Sequence, residues 1–400
     1  PNGIRVVTER MSEARSVSCG VWVGVGGRDE SSEVAGASHF LEHLLFKGTD
    51  RRSAREIAEA VEAVGGEINA FTAREQTAYY TRLPESQLAF GIELLCDVLA
   101  APALRSHEID AEREVILEEL LAAEDSPEDV VHRLLGEALF PGHPLGRDVL
   151  GTAETIEAMG RDEIAGFFTG WYRPANLVVA AAGRLAHDEV VGAIDGFLDG
   201  AALGDRPRRL APTGAPQPRT TVERPIEQSN LALGWLAFDH EDPDRYPLQV
   251  LNQVLGGGLS SRLFQEVREE RGLVYTIYSY TALYSDSGAL AIYAGTGPSK
   301  VDEVLAVING ELEKLRAGGI TAHELDIARG YLEGSLVLGL EDPGSRMVRI
   351  GKSEISRGRV VPLDEHVALM RAVTVADVAR VIDRVLAADY TLALVGPPSA

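Results

Sequence analysis

An internal duplication is the feature that most restricts how this 400-residue chain can fold. Residues 106–127 align with residues 322–343 at a constant offset of 216 positions. A weaker match at an offset of 207 pairs Leu41 with Leu248 and Gly65 with Gly272. A repeat of this length predicts two similar domains rather than a solenoid. The residues of the first segment that meet identical partners are His107, Glu108, Asp110, Arg113, Leu120 and Pro127.

A proline-rich stretch separates the two copies. Residues 204–219 contain Pro207, Pro212, Pro216 and Pro218. Because proline lacks a backbone N–H and has a fixed φ, this density excludes a helix or a central strand. We therefore predict a first domain over residues 1–203, a linker over 204–219 and a second domain over 220–400.

Hydrophobic periodicity in the first half predicts both strands and helices. Alternating or continuous apolar runs indicate strands, and a period of 3.6 residues indicates amphipathic helices. Because hairpins are mixed with helices, each half is predicted to be α+β. The predicted strands are 16–26, 67–72, 77–83 and 177–183, and the predicted helices are 36–47, 53–64, 85–100 and 106–124.

The most informative motif is His39-Phe-Leu-Glu42-His43, a His-x-x-Glu-His pattern. On a helix, residues i and i+4 share a face, so His39 and His43 can bind one ion. Zinc favours imidazole and carboxylate ligands with one position open for water, and Glu42 could accept that water's proton. The order is that of the inverted zincins. The neighbouring residues that favour a buried or cleft-lining site are Phe40, Leu41, Leu44, Leu45 and Phe46.

A third ligand is expected from the helix predicted over 106–124. Glu112 and Glu119 are seven residues apart and share one helical face. Spacing alone does not choose among the acids of this helix, most of which are expected to face solvent. The candidates are Glu108, Glu112, Glu114, Glu118, Glu119 and Glu124.

Over nearly its whole length the chain resembles the inverted-zincin peptidases of the mitochondrial processing peptidase and pitrilysin group. It is similar in particular to bacterial proteins that look like the processing-peptidase beta subunit. In this family a ligand glutamate follows the motif by about 75 residues, and Glu119 lies at that distance from His43. The resemblance implies that His39, His43 and Glu119 bind one Zn²⁺ per chain, with Glu42 as general base. It also matches Glu112 to a further family glutamate that supports a ligand from behind.

The resemblance extends to the fold and to a substrate-binding strand. It implies two tandem domains of the processing-peptidase type, each a mostly antiparallel sheet packed with helices. Residues 65–72, which include Asn69, Ala70 and Phe71, look like the family's active-site edge strand, with Phe46 nearby. Such a strand pairs with an extended peptide through backbone hydrogen bonds, which gives loose sequence preference. Without the resemblance, an ordinary hairpin explains these residues equally well.

A second matching region lies in the other half of the chain. The glycine-rich run 256–258 is followed by Arg268 and Tyr275, seven residues apart. In the family, the tyrosine donates a hydrogen bond to the developing oxyanion and the arginine holds the substrate backbone. Without the resemblance, these two residues would be interpreted as a surface arginine and a half-buried tyrosine.

The duplication supports a working metal site in one copy only. At the offsets above, each of the four residues of the predicted zinc site aligns with a residue that cannot take its role. One half is therefore expected to hold the metal and the other to complete the substrate site. His39, Glu42, His43 and Glu119 correspond to Tyr246, Gln249, Val250 and Ser335.

Charge and composition exclude several classes of function. The chain has 61 acidic and 38 basic residues, a net charge of −23, which argues against a nucleic-acid partner. No apolar run is long enough to cross a bilayer, so no membrane association is expected. Two cysteines do not form a disulfide framework, and no targeting signal is recognised, so a cytoplasmic, bacterial setting is expected. An acidic cavity would concentrate basic substrates.

These observations predict a zinc endopeptidase that cleaves unfolded or extended peptides. Its relatives favour arginine near the cut, for which Glu154 and Glu157 are candidate contacts. Because one chain carries both sets of site residues, a homodimer enclosing a chamber of four domains is expected. Three alternatives stay open: a peptidase for one dedicated precursor peptide, a non-catalytic scaffold, and a chain that needs an inactive partner subunit.

Overall fold

The computed structural model describes residues 3–398, which divide into two compact units. The first unit consists of residues up to Leu121, Asp148–Arg208 and Leu338–Val360. The second consists of Ala122–Arg147, Arg209–Val337 and the residues from Val361 onward. Each unit thus includes one segment from the opposite half of the sequence. The units differ in these two segments from the contiguous domains predicted over 1–203 and 220–400.

Both halves of the chain contain pairs of consecutive strands and runs of consecutive helices. The strands are β1 (Arg5–Arg10), β2 (Ser16–Val23), β3 (Glu67–Thr72), β4 (Thr77–Pro84), β5 (Leu177–Gly183), β6 (Arg219–Glu223), β7 (Ser229–Ala237), β8 (Val274–Leu283), β9 (Gly288–Thr296) and β10 (Thr391–Gly396). The helices are α1 (Ala37–Leu44), α2 (Ala54–Ala63), α3 (Leu88–Ala100), α4 (Ser106–Asp125), α5 (Pro127–Leu139), α6 (Ala153–Ala158), α7 (Arg161–Trp171), α8 (His187–Ala193), α9 (Arg245–Leu255), α10 (Val301–Gly318), α11 (Ala322–Gly339), α12 (Pro343–Arg357), α13 (Leu363–Ala372) and α14 (Val375–Val385).

The first unit is built on a five-stranded sheet with the order β1-β5-β2-β4-β3. β1 runs parallel to β5, and the other neighbours are antiparallel. Alternate residues of β2 face opposite sides, so Val21 joins the main core beside α1 and α3, whereas Trp22 faces α12. Because both faces are covered, β5 is buried along its whole length. β3 is an edge strand, since no strand within residues 3–398 pairs with its outer side.

The second unit repeats this architecture. Its sheet has the order β6-β10-β7-β9-β8, with the parallel pair β6 and β10 at the same edge. β8 takes the edge position that β3 takes in the first sheet. The matching strand order confirms the duplication and the predicted α+β class, with two mostly antiparallel sheets packed with helices.

The two units exchange equivalent helices. α5, from the first half of the sequence, packs on β10 and β7, and α12, from the second half, packs on β5 and β2. In the first unit a Cβ at Gly351 of α12 would lie 2.7 Å from the ring of Trp22. In the second unit a Cβ at Gly234 of β7 would lie 3.0 Å from Leu135 of α5. Leu135 and Gly351 are equivalent at the offset of 216. In the first unit the larger residue of the contact therefore lies on the sheet, and in the second unit it lies on the helix.

The elements predicted in the first half are present, with small shifts at their ends. α1 ends at Leu44 rather than at Lys47, because the chain turns there and the Lys47 N–H donates to the Leu44 carbonyl. α3 begins at Leu88, after a short 3₁₀ turn at Glu85–Gln87. Residues 204–218 of the predicted linker contain no helix or strand. No helix between residues 3 and 398 combines the length and apolarity needed to cross a membrane.

The close contact between α12 and the first sheet gives a stability prediction. Gly351 and Gly330 both lie inside helices, and replacing a helical glycine by alanine gains about 1 kcal/mol of helix propensity. No atom would lie within 4 Å of a Cβ at Gly330, whereas a Cβ at Gly351 meets the fully buried Trp22. We expect Gly351→Ala to be less stable than Gly330→Ala by about 2 kcal/mol in urea unfolding. Equal stability of the two variants would contradict this packing.

Candidate metal centre

The first turn of α1 is held by a buried carboxylate from the preceding segment. Gly36 has a φ of +95°, a left-handed conformation that favours glycine. Glu30, only 4% exposed, accepts hydrogen bonds from the backbone N–H groups of Gly36 and Ser38, both at 2.7 Å. These bonds satisfy donors that a helix end leaves free, and the negative charge suits the helix dipole. Glu30 therefore fixes the start of α1 and with it the position of His39. The sequence did not indicate this role.

The loop after α1 is tied to α3 through Asp97. The Thr49 hydroxyl donates to Asp97 at 3.0 Å, and Arg51 and Arg52 form ion pairs with the same carboxylate at 2.8 and 2.7 Å. Burial opposes ionisation of Asp97, but these hydrogen bonds prevail and hold its pKa below the ordinary value. Helix α1 is consequently anchored at both ends.

Three of the predicted residues converge on one point. Nε2 of His39 and Nε2 of His43 lie 3.3 Å apart, and each is 3.5 Å from the same oxygen of Glu119. Zinc bonds of about 2.0–2.1 Å in tetrahedral geometry place neighbouring ligand atoms about 3.3 Å apart. The observed spacing fits a zinc ion. No second group of three histidine, cysteine or acidic side chains with this property occurs within residues 3–398.

The protonation of His39 suits a metal ligand. Burial, and then the neighbouring His43, lower the pKa of His39 to about 4. Its imidazole is therefore neutral at pH 7, and a nitrogen lone pair is available to a cation. Its Nδ1 atom is buried and has no hydrogen-bond partner among the described residues.

Glu112 lies behind His43 rather than among the converging atoms. One carboxylate oxygen is 3.2 Å from His43 Nδ1, and the other is 2.6 Å from the ammonium of Lys47. Because a carboxylate only accepts, the His43 Nδ1–H donates to it, which leaves Nε2 free to bind an ion. The contact of Lys47 with Glu112 was not predicted.

Glu42 lies on α1, half-buried, between the two histidines. Close to it, the hydroxyls of Tyr79 and Tyr172 share a buried hydrogen bond of 2.8 Å. Burial raises the pKa of both tyrosines, and the negative charge of Glu42 adds to the effect in each. An acidic side chain with an apolar and aromatic surrounding is thus placed on the helix that carries both imidazoles.

The predicted substrate-binding residues lie beside this helix. Asn69, Ala70 and Phe71 belong to the edge strand β3, and the Ala70 N–H donates to the Asn69 side chain at 2.8 Å. The Thr72 hydroxyl donates to the Ser38 carbonyl at 3.4 Å, which joins the strand to α1. Phe46 packs edge-to-face on Tyr79, with ring centroids 5.9 Å apart.

Arg268 and Tyr275 lie together in the second unit. Arg268 belongs to a π-helical turn at Phe264–Glu269, and Tyr275 lies near the start of the edge strand β8. The Arg268 guanidinium stands over the rings of Phe264 and Tyr275, at 4.7 and 5.6 Å from their centroids. Tyr275 is 80% exposed, so its hydroxyl is open to a ligand.

Among its described residues, the second unit carries no counterpart of the group formed by His39, His43 and Glu119. Tyr246 and Val250, which match His39 and His43, are buried in the second core. The Tyr246 hydroxyl is 3.2 Å from Nδ1 of His366. Glu154 and Glu157, the candidate contacts to arginine, are exposed side chains on the short helix α6.

Comparison with known families covers most of the chain. Residues 5–153 match the family model described as Insulinase (Peptidase family M16). Residues 158–332 match the model described as Peptidase M16 inactive domain. The second match includes Arg268 and Tyr275, and the first includes the three converging side chains.

Similar proteins and structures extend over nearly the full length. A protein named an uncharacterized zinc protease in Streptomyces coelicolor is 44% identical over 99% of this chain and 88% of its own length. A zinc protease of Bacillus subtilis, also named uncharacterized, is 38% identical over 99% of this chain and 97% of its own. The crystal structure of a protease from Helicobacter pylori has a TM-score of 0.92 at 24% identity, over 99% of this chain and 98% of its own, and shows the same fold. The chain therefore belongs to peptidase family M16.

Proposed function

We propose that the protein is a zinc-dependent endopeptidase that cleaves unfolded or extended peptides. The observation that carries this proposal is the tetrahedral spacing of His39, His43 and Glu119, with Glu42 on the same helix. Two imidazole nitrogens and a carboxylate oxygen at these distances favour a bound cation. The names of the relatives, zinc proteases, support the choice of zinc. One ion per chain is part of the proposal.

In the proposed hydrolysis, a bound metal ion and Glu42 would have separate roles. A bound zinc ion would supply Lewis-acid chemistry, since it acidifies water and polarises a peptide carbonyl. Glu42 accepts the proton of the attacking water and then delivers it to the leaving amine nitrogen. Glu112 takes no part in the proton transfer in this proposal; it orients His43 through Nδ1.

The substrate is proposed to bind as an added strand. β3 offers an unpaired outer edge next to α1, and backbone hydrogen bonds along Asn69–Phe71 would align an extended peptide there. For such pairing a substrate carbonyl would replace the Asn69 side chain as acceptor of the Ala70 N–H. An unfolded peptide can take up this extended conformation along its length without first unfolding, so unfolded or extended peptides are the proposed substrates.

Arg268 and Tyr275 are proposed as further substrate contacts. The Tyr275 hydroxyl would donate to the developing oxyanion, and Arg268 would hold the substrate backbone. The cation–π contact between them supports a shared task, because it keeps both side chains ordered at an exposed position. A preference for arginine near the cut, a homodimer and a cytoplasmic setting are also proposed. The free state of Cys19 and Cys96 agrees with a reducing compartment.

Metal removal and a single substitution test the reaction. Cleavage of a quenched, unstructured, arginine-containing peptide is expected to stop on dialysis against a chelator and to return with zinc. Glu42→Gln is expected to keep about one zinc per chain and to lower kcat by at least about 100-fold, because the general base is lost. The control is Glu118→Gln, an exposed acid on α4, which should behave as wild type. Chelator-resistant cleavage, or an active Glu42→Gln, would exclude this mechanism.

A second test concerns Tyr275. Tyr275→Phe removes only the hydroxyl from an 80% exposed ring, so we expect unchanged zinc content and thermal stability. The loss of one oxyanion donor should lower kcat by about 100-fold with little change in KM. Tyr331→Phe, a 53% exposed tyrosine on α11, serves as the matched control. If Tyr275→Phe cleaves the peptide at the wild-type rate, the proposed contact is wrong.

A further inference from the structure

A chain of contacts leads from the protein surface to one of the two imidazoles. Lys47, 37% exposed at its side chain, lies 2.6 Å from one oxygen of Glu112, whose side chain is only 8% exposed. The other oxygen of Glu112 is 3.2 Å from Nδ1 of His43. The two oxygens therefore have separate partners, one cationic and one imidazole.

Lys47 holds the buried carboxylate of Glu112 in one orientation. A carboxylate that is free to rotate would present no fixed acceptor to His43, whereas a charge-assisted hydrogen bond to one of its oxygens is short and directional. The Lys47 ammonium lies 2.6 Å from one oxygen of Glu112 and so fixes the rotation of the carboxylate. Lys47 is itself placed by the loop that Thr49 fastens to Asp97.

The two imidazoles differ in this support. His43 has an acceptor at Nδ1, which fixes the tautomer that leaves Nε2 unprotonated. His39 Nδ1 is buried without a partner among the described residues, so no side chain sets its tautomer. Among the described residues, a neighbouring side chain thus fixes the tautomer of His43 but not that of His39.

We propose that Lys47 is a positioning residue that sets the affinity of the site for zinc, acting on His43 through Glu112. This inference rests on the proposed zinc site. Lys47 does not touch the ion or the substrate in this account. Without Lys47, Glu112 would lose its fixed rotation, and the imidazole of His43 would lose its fixed tautomer and orientation.

Zinc affinity, measured by competition with a chromogenic chelator, tests the proposal without reference to activity. Lys47→Met is expected to weaken zinc binding by about tenfold, the range seen when a partner of a metal-binding histidine is removed. Lys47→Arg, which keeps the positive charge, should restore most of the affinity. Lys314→Met is the matched control, because Lys314 pairs with the buried Glu311 at 2.5 Å in the other unit. It should bind zinc as wild type does.

A double-substitution cycle separates positioning from general destabilisation. If Lys47 acts through Glu112, then adding Lys47→Met to Glu112→Gln should cause no further weakening. Wild-type affinity in Lys47→Met, or an equal loss in both backgrounds, would overturn the proposal. Circular dichroism of the metal-free variants identifies any that fail to fold, and Lys47→Arg then carries the test, since its affinity must stay within a few-fold of wild type. Absence of zinc binding by the wild-type protein would instead refute the proposed function.

Discussion

The rigid placement of helix α1 is the constraint on which the candidate site depends, because this helix carries His39, His43 and Glu42. Its start is held by Glu30, which accepts two backbone hydrogen bonds, and the loop after it is held by Asp97. With both ends fixed, the imidazoles face Glu119 at distances that leave room for one ion. Two buried carboxylates thus act on the site without touching the metal position, and the same anchored loop brings Lys47 to Glu112.

Among the described residues, the candidate metal site occurs in only one of the two copies of the fold. Both units have the same strand order, and each takes the equivalent helix from the opposite half of the sequence. Trp22 faces Gly351 in one unit, and Leu135 faces Gly234 in the other. In each contact a large side chain meets a glycine, which favours the exchanged packing. If α5 packed instead on the sheet of the first unit, Leu135 would lie against Trp22. In the second copy, the positions of the two histidines are taken by the core residues Tyr246 and Val250.

Much of this could be predicted from local patterns. The period of the apolar residues identified β3 and α3, and the i, i+4 spacing of the histidines predicted a shared face. Family resemblance was needed to choose Glu119, because several acids of α4 share similar spacing. The helix exchange and the roles of Glu30 and Lys47 could not be predicted, since each depends on a contact between residues with no recognisable pattern between them. Whether a glutamate is buried behind a ligand is decided by tertiary packing alone.

We propose that one zinc ion binds to His39, His43 and Glu119. Anomalous diffraction at the zinc absorption edge, from crystals grown with zinc, tests it most directly. We expect one strong peak per chain, about 2.0–2.2 Å from Nε2 of each histidine and from a carboxylate oxygen of Glu119. A strongest peak at other residues, or one that contacts a single histidine, would contradict it.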